Sequence, residues 1–212
     1  MQGYTKIEYS RNKDVILRNT KGHFVTPNAH VNYFIDLCDT KARMKEARAA
    51  GESLAEFYIA SDVIDTILCL NGMEVVGSYL ADALTQAGVI SKNAHKTMYI
   101  TGPEYNVNGQ IMFRDNNKHM ITDKKVLILS DSVTTGGMLK SALDSVRFYG
   151  GEVVGIAAFF SVATQIEGFP IRTLFSTREL PDYASYPHDN CPLCKEGVKV
   201  DAICNGFGYS TL

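Results

Sequence analysis

Three short, largely apolar runs lie beside stretches in which apolar residues recur every three or four positions: Asp65 to Leu70 (DTILCL), Val126 to Leu129 (VLIL) and Glu152 to Phe160 (EVVGIAAFF). Nothing else in the chain restricts its fold so strongly. An apolar run without polar alternation suits a strand covered on both faces, which is the environment of a parallel sheet. After Asn71-Gly72, the positions Val75, Val76, Tyr79, Leu80, Ala83 and Leu84 predict a helix, with Gly88 past its end. Met138, Leu139, Ala142, Leu143 and Val146 predict a second helix from Met138 to Tyr149, closed by Gly150-Gly151. Met98 to Thr101, Gln110 to Phe113 and Arg172 to Phe175 add shorter candidate strands. Strands alternating with helices place the chain in the α/β class, with a parallel sheet and helices on both faces.

The remaining segments are less informative. Residues 1–20 are polar and mixed and support no assignment. Lys21 to Leu37 holds two β-prone stretches around a turn at Thr26-Pro27-Asn28, and Thr40 to Ala60 reads as a helix weakened in its middle by Gly51. With 212 residues, a single domain is expected. Hydrophobic residues at 45% and charged residues at 21% are globular proportions, so disordered and coiled-coil readings drop out. Lys plus Arg (21) nearly balance Asp plus Glu (23), a net charge of −2 that argues against a nucleic-acid-binding protein. No apolar run is long enough to span a bilayer, and the opening MQGYTKIEYSRNKD lacks the apolar core of an export signal. Five cysteines is an odd count, best read as reduced thiols. A cytoplasmic location is therefore expected.

Chemistry in such a sheet collects beyond the carboxyl ends of the strands. Val126 to Leu139, VLILSDSVTTGGML, is the segment that carries it. The apolar strand ends in Ser130-Asp131-Ser132, and Val133-Thr134-Thr135-Gly136-Gly137 leads into the helix that begins near Met138. A glycine-rich turn at a helix start presents free backbone N–H groups and the positive end of the helix dipole, which suits a phosphate monoester. Asp131, just before it, could accept hydrogen bonds from sugar hydroxyls. The plainer reading is a strand–turn–helix joint in which Ser, Asp and Thr act as caps. Rival phosphate motifs are missing: there is no Gly-Lys-Ser/Thr, no G-x-G-x-x-G after a strand and no G-x-S-x-G.

VLILSDSVTTGG resembles the phosphoribosyl-pyrophosphate (PRPP) signature of the type I phosphoribosyltransferases: an apolar strand, two acidic residues, two variable residues and a Thr-Thr-Gly-Gly turn. GHFVTPNAHVNYFIDL is similar to the N-terminal hairpin of the orotate phosphoribosyltransferases, DTILCLNGMEVVGSYLADAL occupies the place of their pyrophosphate loop and following helix, and CPLCKEGVKV resembles the tail of some of them. The resemblance implies one domain over 1–212, with 1–60 as an N-terminal hood and helix and 178–212 as a cysteine-containing tail. It implies transfer of ribose 5-phosphate from PRPP to a nitrogenous base, with pyrophosphate released and Mg²⁺ bridging substrate oxygens rather than held by side chains. Thr134, Thr135, Gly136, Gly137 and Met138 would hold the 5-phosphate, and Asp131 the ribose hydroxyls. Asn71, Gly72 and Met73 would approach the pyrophosphate. A homodimer is the family's common state.

The chain departs from that pattern in several places. Ser130 replaces one of the two acidic residues, and Glu74 stands where a glycine is common, bringing negative charge towards the pyrophosphate. In place of a mobile loop rich in Lys, Arg and His there are only Arg114, Lys118 and His119, whose RDNNKH context reads more simply as a solvated turn. The polar stretch from Gly102 to Gly109 is either a lid or an extended hairpin. GIAAFFS lacks the Asp-Arg pair whose arginine would meet an orotate carboxylate. These departures leave a second reading, a non-catalytic protein that binds PRPP or a nucleotide and regulates. A phosphatase-like use of Asp131 is a more distant third.

His188, Cys191, Cys194 and Cys204 form an H-x2-C-x2-C-x9-C array with enough ligands for tetrahedral zinc. Only one clear ligand pair is present, so a packed turn is the simpler reading and a redox dithiol a third. Cys38 and Cys69 lie in apolar runs and are expected in the core. The pairs Tyr33-Phe34 and Phe159-Phe160 read as core, with a base-lining role as the alternative.

Overall fold

Side by side in one parallel sheet is how the three apolar runs are found. The computed structural model describes residues 3–60, 63–94, 96–107 and 109–212. The N-terminal elements are β1 (Thr5–Tyr9), β2 (Asn12–Val25), β3 (His30–Asp36), α1 (Cys38–Ala42) and α2 (Met44–Ala55). Then follow β4 (Thr66–Cys69), α3 (Glu74–Gln86), β5 (Tyr99–Thr101), β6 (Glu104–Tyr105), β7 (Ile111–Met112), β8 (Lys125–Val133), α4 (Gly137–Phe148), β9 (Glu152–Ser161), β10 (Gln165–Ile166) and β11 (Phe169–Ser176). The C-terminal elements are β12 (Ser185–Tyr186), α5 (Pro192–Lys195), β13 (Ala202–Asn205) and β14 (Gly208–Thr211).

The main sheet has the order β10-β11-β9-β8-β4-β5, parallel except for the edge strand β10. Successive side chains of its strands enter two different cores, as the two-residue period of a strand demands. Ile67, Cys69, Leu127, Leu129 and Phe159 pack with Leu54 of α2 and Val76 and Leu80 of α3. Leu68, Ile128, Ile156 and Ala158 pack with Leu139, Leu143 and Val146 of α4. Each fully buried leucine in these layers contributes roughly 2 kcal/mol of transfer free energy. The sheet is thus covered by helices on both faces, as expected for this class.

The expected helix from Thr40 to Ala60 is two helices, because Arg43 has extended backbone (φ −90°, ψ 120°). Gly51 does not weaken α2 so much as allow it to cross α3: a Cβ there would come within 2.7 Å of Leu80 N and Val76 O. Close helix packing outweighs the propensity cost of glycine at this position.

A second sheet, ordered β12-β3-β2-β13-β14 with β1 paired to the N-terminal part of β2, forms the hood. The uninformative residues of the N-terminus supply its hairpin, with Val15 and Leu17 turned into the core. The tail completes it: β13 runs parallel to β2 through Ala202 opposite Phe24, so both ends of the chain share one sheet. The expected strand near Gln110 does not join the main sheet, because β7 pairs antiparallel with β6 as a two-stranded arm. Among the described residues, no helix is long and apolar enough to cross a membrane.

Candidate functional site

Numbering the five parallel strands by their order in the chain, β4, β5, β8, β9, β11, gives the spatial order 2-1-3-4-5. The topological switch point of that order lies between β4 and β8, where the chain leaves neighbouring strands in opposite directions and a crevice opens. Asn71 follows β4 and Asp131 lies near the end of β8, and Asn71 Nδ2 donates to Asp131 Oδ1 at 2.8 Å across this gap. A cavity of about 210 Å³ opens there, walled by the turn from Ser130 to Leu139, by the hood and by the tail.

β8 runs on past Leu129, where the apolar run stops, because Ser130, Ser132 and Val133 still pair with Ala158, Phe160 and Ser161 of β9. Ser130 is buried and its hydroxyl donates to Ser132 O. Thr134 and Thr135 then bend the chain, and Gly136 takes φ +77°, a left-handed conformation that favours glycine. Gly136 is the N-cap of α4, and among the described residues no side chain caps that end. The first-turn amides of α4 therefore have no partner within the helix, and Gly137, Met138 and Leu139 line the cavity. All nine residues from Ser130 to Met138 singled out in the sequence border this one space.

Asp131 is 5% exposed and is the focus of the polar groups. Its carboxylate accepts from Lys41 Nζ at 2.8 Å, from Asn71 Nδ2 and from the Ser132 amide at 2.5 Å. Lys41 Nζ also donates to Gly206 O in the tail at 2.8 Å. Lys41 and the tail residues Asn205 and Gly206 were not legible as site residues. Lys41 is one of many cations in a polar helical segment, and only the fold brings α1 and the β13–β14 turn to the end of β8.

The three residues of the candidate pyrophosphate loop separate. Asn71 (φ 55°) lines the cavity, Gly72 (φ 79°) is exposed, and the side chain of Met73 is fully buried in the core, leaving only its backbone for a ligand. Gly72, with positive φ, and Met73 (φ −87°, ψ 12°) at the start of α3 alternate in hand, the backbone pattern in which successive N–H groups suit an anion. Glu74 opens α3 with its carboxylate against Gly102 and is not among the cavity-lining residues. A negative charge in a first helical turn is favourable, so the helix accounts for it.

The loop cations do not reach the cavity. Arg114 forms an ion pair with Glu104, Lys118 pairs with Asp115 at 2.5 Å, and exposed His119 meets the Tyr99 ring edge-on at 5.5 Å. These are the contacts of a solvated turn. The arm itself leans on the site, with Tyr105 Oη 3.8 Å from Met138 Sδ. Burial raises the pKa of the Tyr105 phenol, and the charges of Asp131 and Glu74 add to that.

Of the two aromatic pairs, Phe159 and Phe160 are fully buried core, whereas Tyr33 and Phe34 line the cavity. Tyr183 lines it too and stacks on Tyr33, centroids 6.4 Å apart at 21°. Tyr33, Phe34 and Tyr183 thus give the cavity aromatic walls.

The proposed zinc quartet needs correction. Cys191 and Cys194 come together with His23 and His30, not with His188 and Cys204. His188 meets the His30 ring edge-on, ring centroids 5.1 Å apart. Cys204 sits on β13 packed with Phe24, Val31 and Phe34 and lines the cavity. The β2–β3 hairpin, remote in sequence, delivers the two imidazoles. Cys69 is buried as expected, but Cys38 is exposed, with its Sγ 3.6 Å from Phe207 O.

Comparison with known proteins agrees with this geometry. Residues 43–172 match the family model of the phosphoribosyl transferase domain. Orotate phosphoribosyltransferase of Carboxydothermus hydrogenoformans is 30% identical over 183 residues, covering 85% of this chain and 87% of that protein. The Caldicellulosiruptor saccharolyticus enzyme of the same name is 35% identical over 79 residues, 36% of this chain and only 39% of that protein. Among solved structures, Mycobacterium tuberculosis orotate phosphoribosyltransferase in complex with PRPP superposes with a TM-score of 0.51 at 21% identity, covering 69% of this chain and 82% of that one. With the strand order, the glycine-capped turn and the family match in agreement, the chain belongs to the phosphoribosyltransferase family of glycosyl-transferring enzymes and has its type I fold.

Proposed function

We propose that this protein transfers ribose 5-phosphate from PRPP to a nitrogenous base and releases pyrophosphate. The observation that carries the reading is the convergence of a glycine-started helix, a buried aspartate and stacked tyrosines on one cavity at the sheet's switch point. The first-turn amides of α4 and the hydroxyls of Thr134 and Thr135 hold the 5-phosphate. Asp131 accepts from the ribose hydroxyls, keeping the anomeric carbon between the pyrophosphate loop and the aromatic wall. The Asn71-Gly72-Met73 backbone and the Lys41 ammonium stabilise charge that grows on the leaving pyrophosphate. Tyr33 and Tyr183 present the base to the opposite face of the sugar, and the tail above them keeps water from the oxocarbenium-like centre.

Magnesium fits this donor set. Such an ion commonly takes one or two carboxylates with water and substrate phosphate oxygens, and Asp131 is the cavity's carboxylate. When bound with PRPP it neutralises leaving-group charge. Orotate is the first acceptor to test, because the named relatives act on it. Lys41 is the one cation among the described cavity-lining residues, so an anionic base must share it with Asp131. The homodimer common to the family is the assembly we propose.

The experiment is a coupled pyrophosphate assay with PRPP and Mg²⁺ across orotate and neutral pyrimidines and purines, alongside calorimetry with PRPP. Pyrophosphate release that depends on a base supports the transferase. PRPP binding without turnover on any base supports instead the non-catalytic regulatory reading. The buried Ser130 in place of an acid and the prior engagement of Asp131 by Lys41 favour that second reading. No PRPP binding overturns both.

A further inference from the structure

We propose that His23, His30, Cys191 and Cys194 form a tetrahedral zinc site that clamps the C-terminal tail to the hood. Their ligand atoms all lie within 4.8 Å of one another. His23 Nε2 is 3.6 Å from both Cys191 Sγ and Cys194 Sγ, and His30 Nδ1 is 3.4 Å from Cys194 Sγ. A tetrahedral zinc with ordinary Zn–N and Zn–S bonds places nitrogen and sulfur ligands about 3.6 Å apart. Three edges of the polyhedron therefore already have the right length. The imidazole nitrogens, 2.8 Å apart, form a tighter edge. Two ring nitrogens on one zinc sit about 3.3 Å apart, so this edge opens by roughly half an ångström when the ion enters.

The surroundings also suit a structural site. His23 Nδ1 lies 2.9 Å from Val198 O, a contact that fixes the proton on Nδ1 and leaves the Nε2 lone pair facing the thiols. This is the outer hydrogen bond that commonly orients a metal-bound histidine. His23 and Cys191 are each 1% exposed and His30 is 8% exposed, while Cys194 is exposed, so the cluster sits at the surface with three of its four ligands buried. Four protein ligands leave no open coordination position. The two cysteines flank the start of the short helix α5, and Gly197 (φ 73°) turns the chain back so that Val198 reaches His23. Both thiols bind as thiolates, so uptake of Zn²⁺ releases their protons to solvent.

The clamp serves the cavity indirectly. The chain runs from Cys194 into β13 and then to Asn205 and Gly206, which line the cavity, and Gly206 O accepts from Lys41. Joining the tail to the β2–β3 hairpin fixes that strand beside β2. Without metal, the imidazoles keep a hydrogen bond to each other, and the tail is held by β pairing and by the hydrogen bonds of Val198, Asp201 and Gly206 to His23 and Lys41.

The test uses the full chain, purified under reducing conditions, and does not depend on turnover. One zinc per chain by elemental analysis is expected. Replacement by Co²⁺ should give the intense visible bands of a tetrahedral ion and thiolate-to-cobalt charge transfer. Cys194→Ser, at an exposed position, should lose the metal and with it the thiolate-to-cobalt charge-transfer band. His188→Asn should keep both. Metal removal should lower the melting temperature, and Zn²⁺ alone should restore it. Failure of the metal-free chain to take Zn²⁺ from a chromophoric chelator overturns the proposal. So does a cobalt adduct without thiolate character, full metal retention in both Cys191→Ser and Cys194→Ser, or a Cys191–Cys194 disulfide in freshly reduced protein.

Discussion

Replacing Asp131 with Asn changes one oxygen to an amide and tests the centre of the proposed site. In the free protein the carboxylate accepts from Lys41, Asn71 and the Ser132 amide. An amide keeps one acceptor oxygen and turns two donors towards groups that are themselves donors. When PRPP binds, two ribose hydroxyls compete for the same carboxylate, and the variant can serve only one of them. A hydrogen bond to a charged group contributes about 1.5–3 kcal/mol, which converts to a roughly 10- to 150-fold weaker Kd. Folding should suffer as well, because the Lys41 side chain is only 14% exposed and loses its counter-charge, although its Nζ keeps Gly206 O. Calorimetry of PRPP with Mg²⁺ measures the effect, with the melting temperature as the control for folding. Inorganic phosphate should bind as before, since the turn from Thr134 to Gly137 is untouched. An unchanged PRPP Kd in a folded Asp131→Asn protein refutes the assignment of the ribose site, and an equal loss of phosphate binding shows that the turn itself has collapsed.

Three further outcomes follow from the geometry. Gly136→Ala forces a side chain into φ +77° and sets its Cβ 3.1 Å from Ile166 Cδ1, so it should cost about 1–2 kcal/mol in urea unfolding and weaken phosphate binding. Gly51→Ala, which on helix propensity alone should stabilise α2 by about 1 kcal/mol, should instead destabilise by about 1–3 kcal/mol because the methyl meets the backbone of α3; a stabilised variant would contradict the close crossing. Arg114 depresses the pKa of Glu104, so the pair that closes the β6–β7 arm is intact above the ordinary carboxylate range and is lost as pH falls through that lowered value. Amide exchange at Tyr105 and Ile111 should accelerate only at that acid limb, and a Glu104→Gln protein should lack the step.

The sequence determined the class of fold and the turn at the centre of the candidate site, because both depend on local patterns. Apolar runs without alternation demand a sheet covered twice, and a Thr-Thr-Gly-Gly turn between a strand and a helix builds its phosphate-type cradle from neighbouring residues. Ser130 to Met138 therefore fell together as read. The features left to tertiary structure depend on pairing between distant segments. Residues 1–20 carry too little alternation to announce β1 and β2, and the tail becomes β13 and β14 only because an unpaired edge of β2 is there to receive it. Gly51 reads as a flaw until α3 lies against it. Lys41 is one solvated cation among many until α1 is set beside Asp131. The cysteine pair was visible, but its imidazole partners were sought nearby in the chain, whereas the hairpin brings His23 and His30 from about 160 residues away. Local sequence fixes what a segment can be, and long-range burial and hydrogen bonding decide which segments meet.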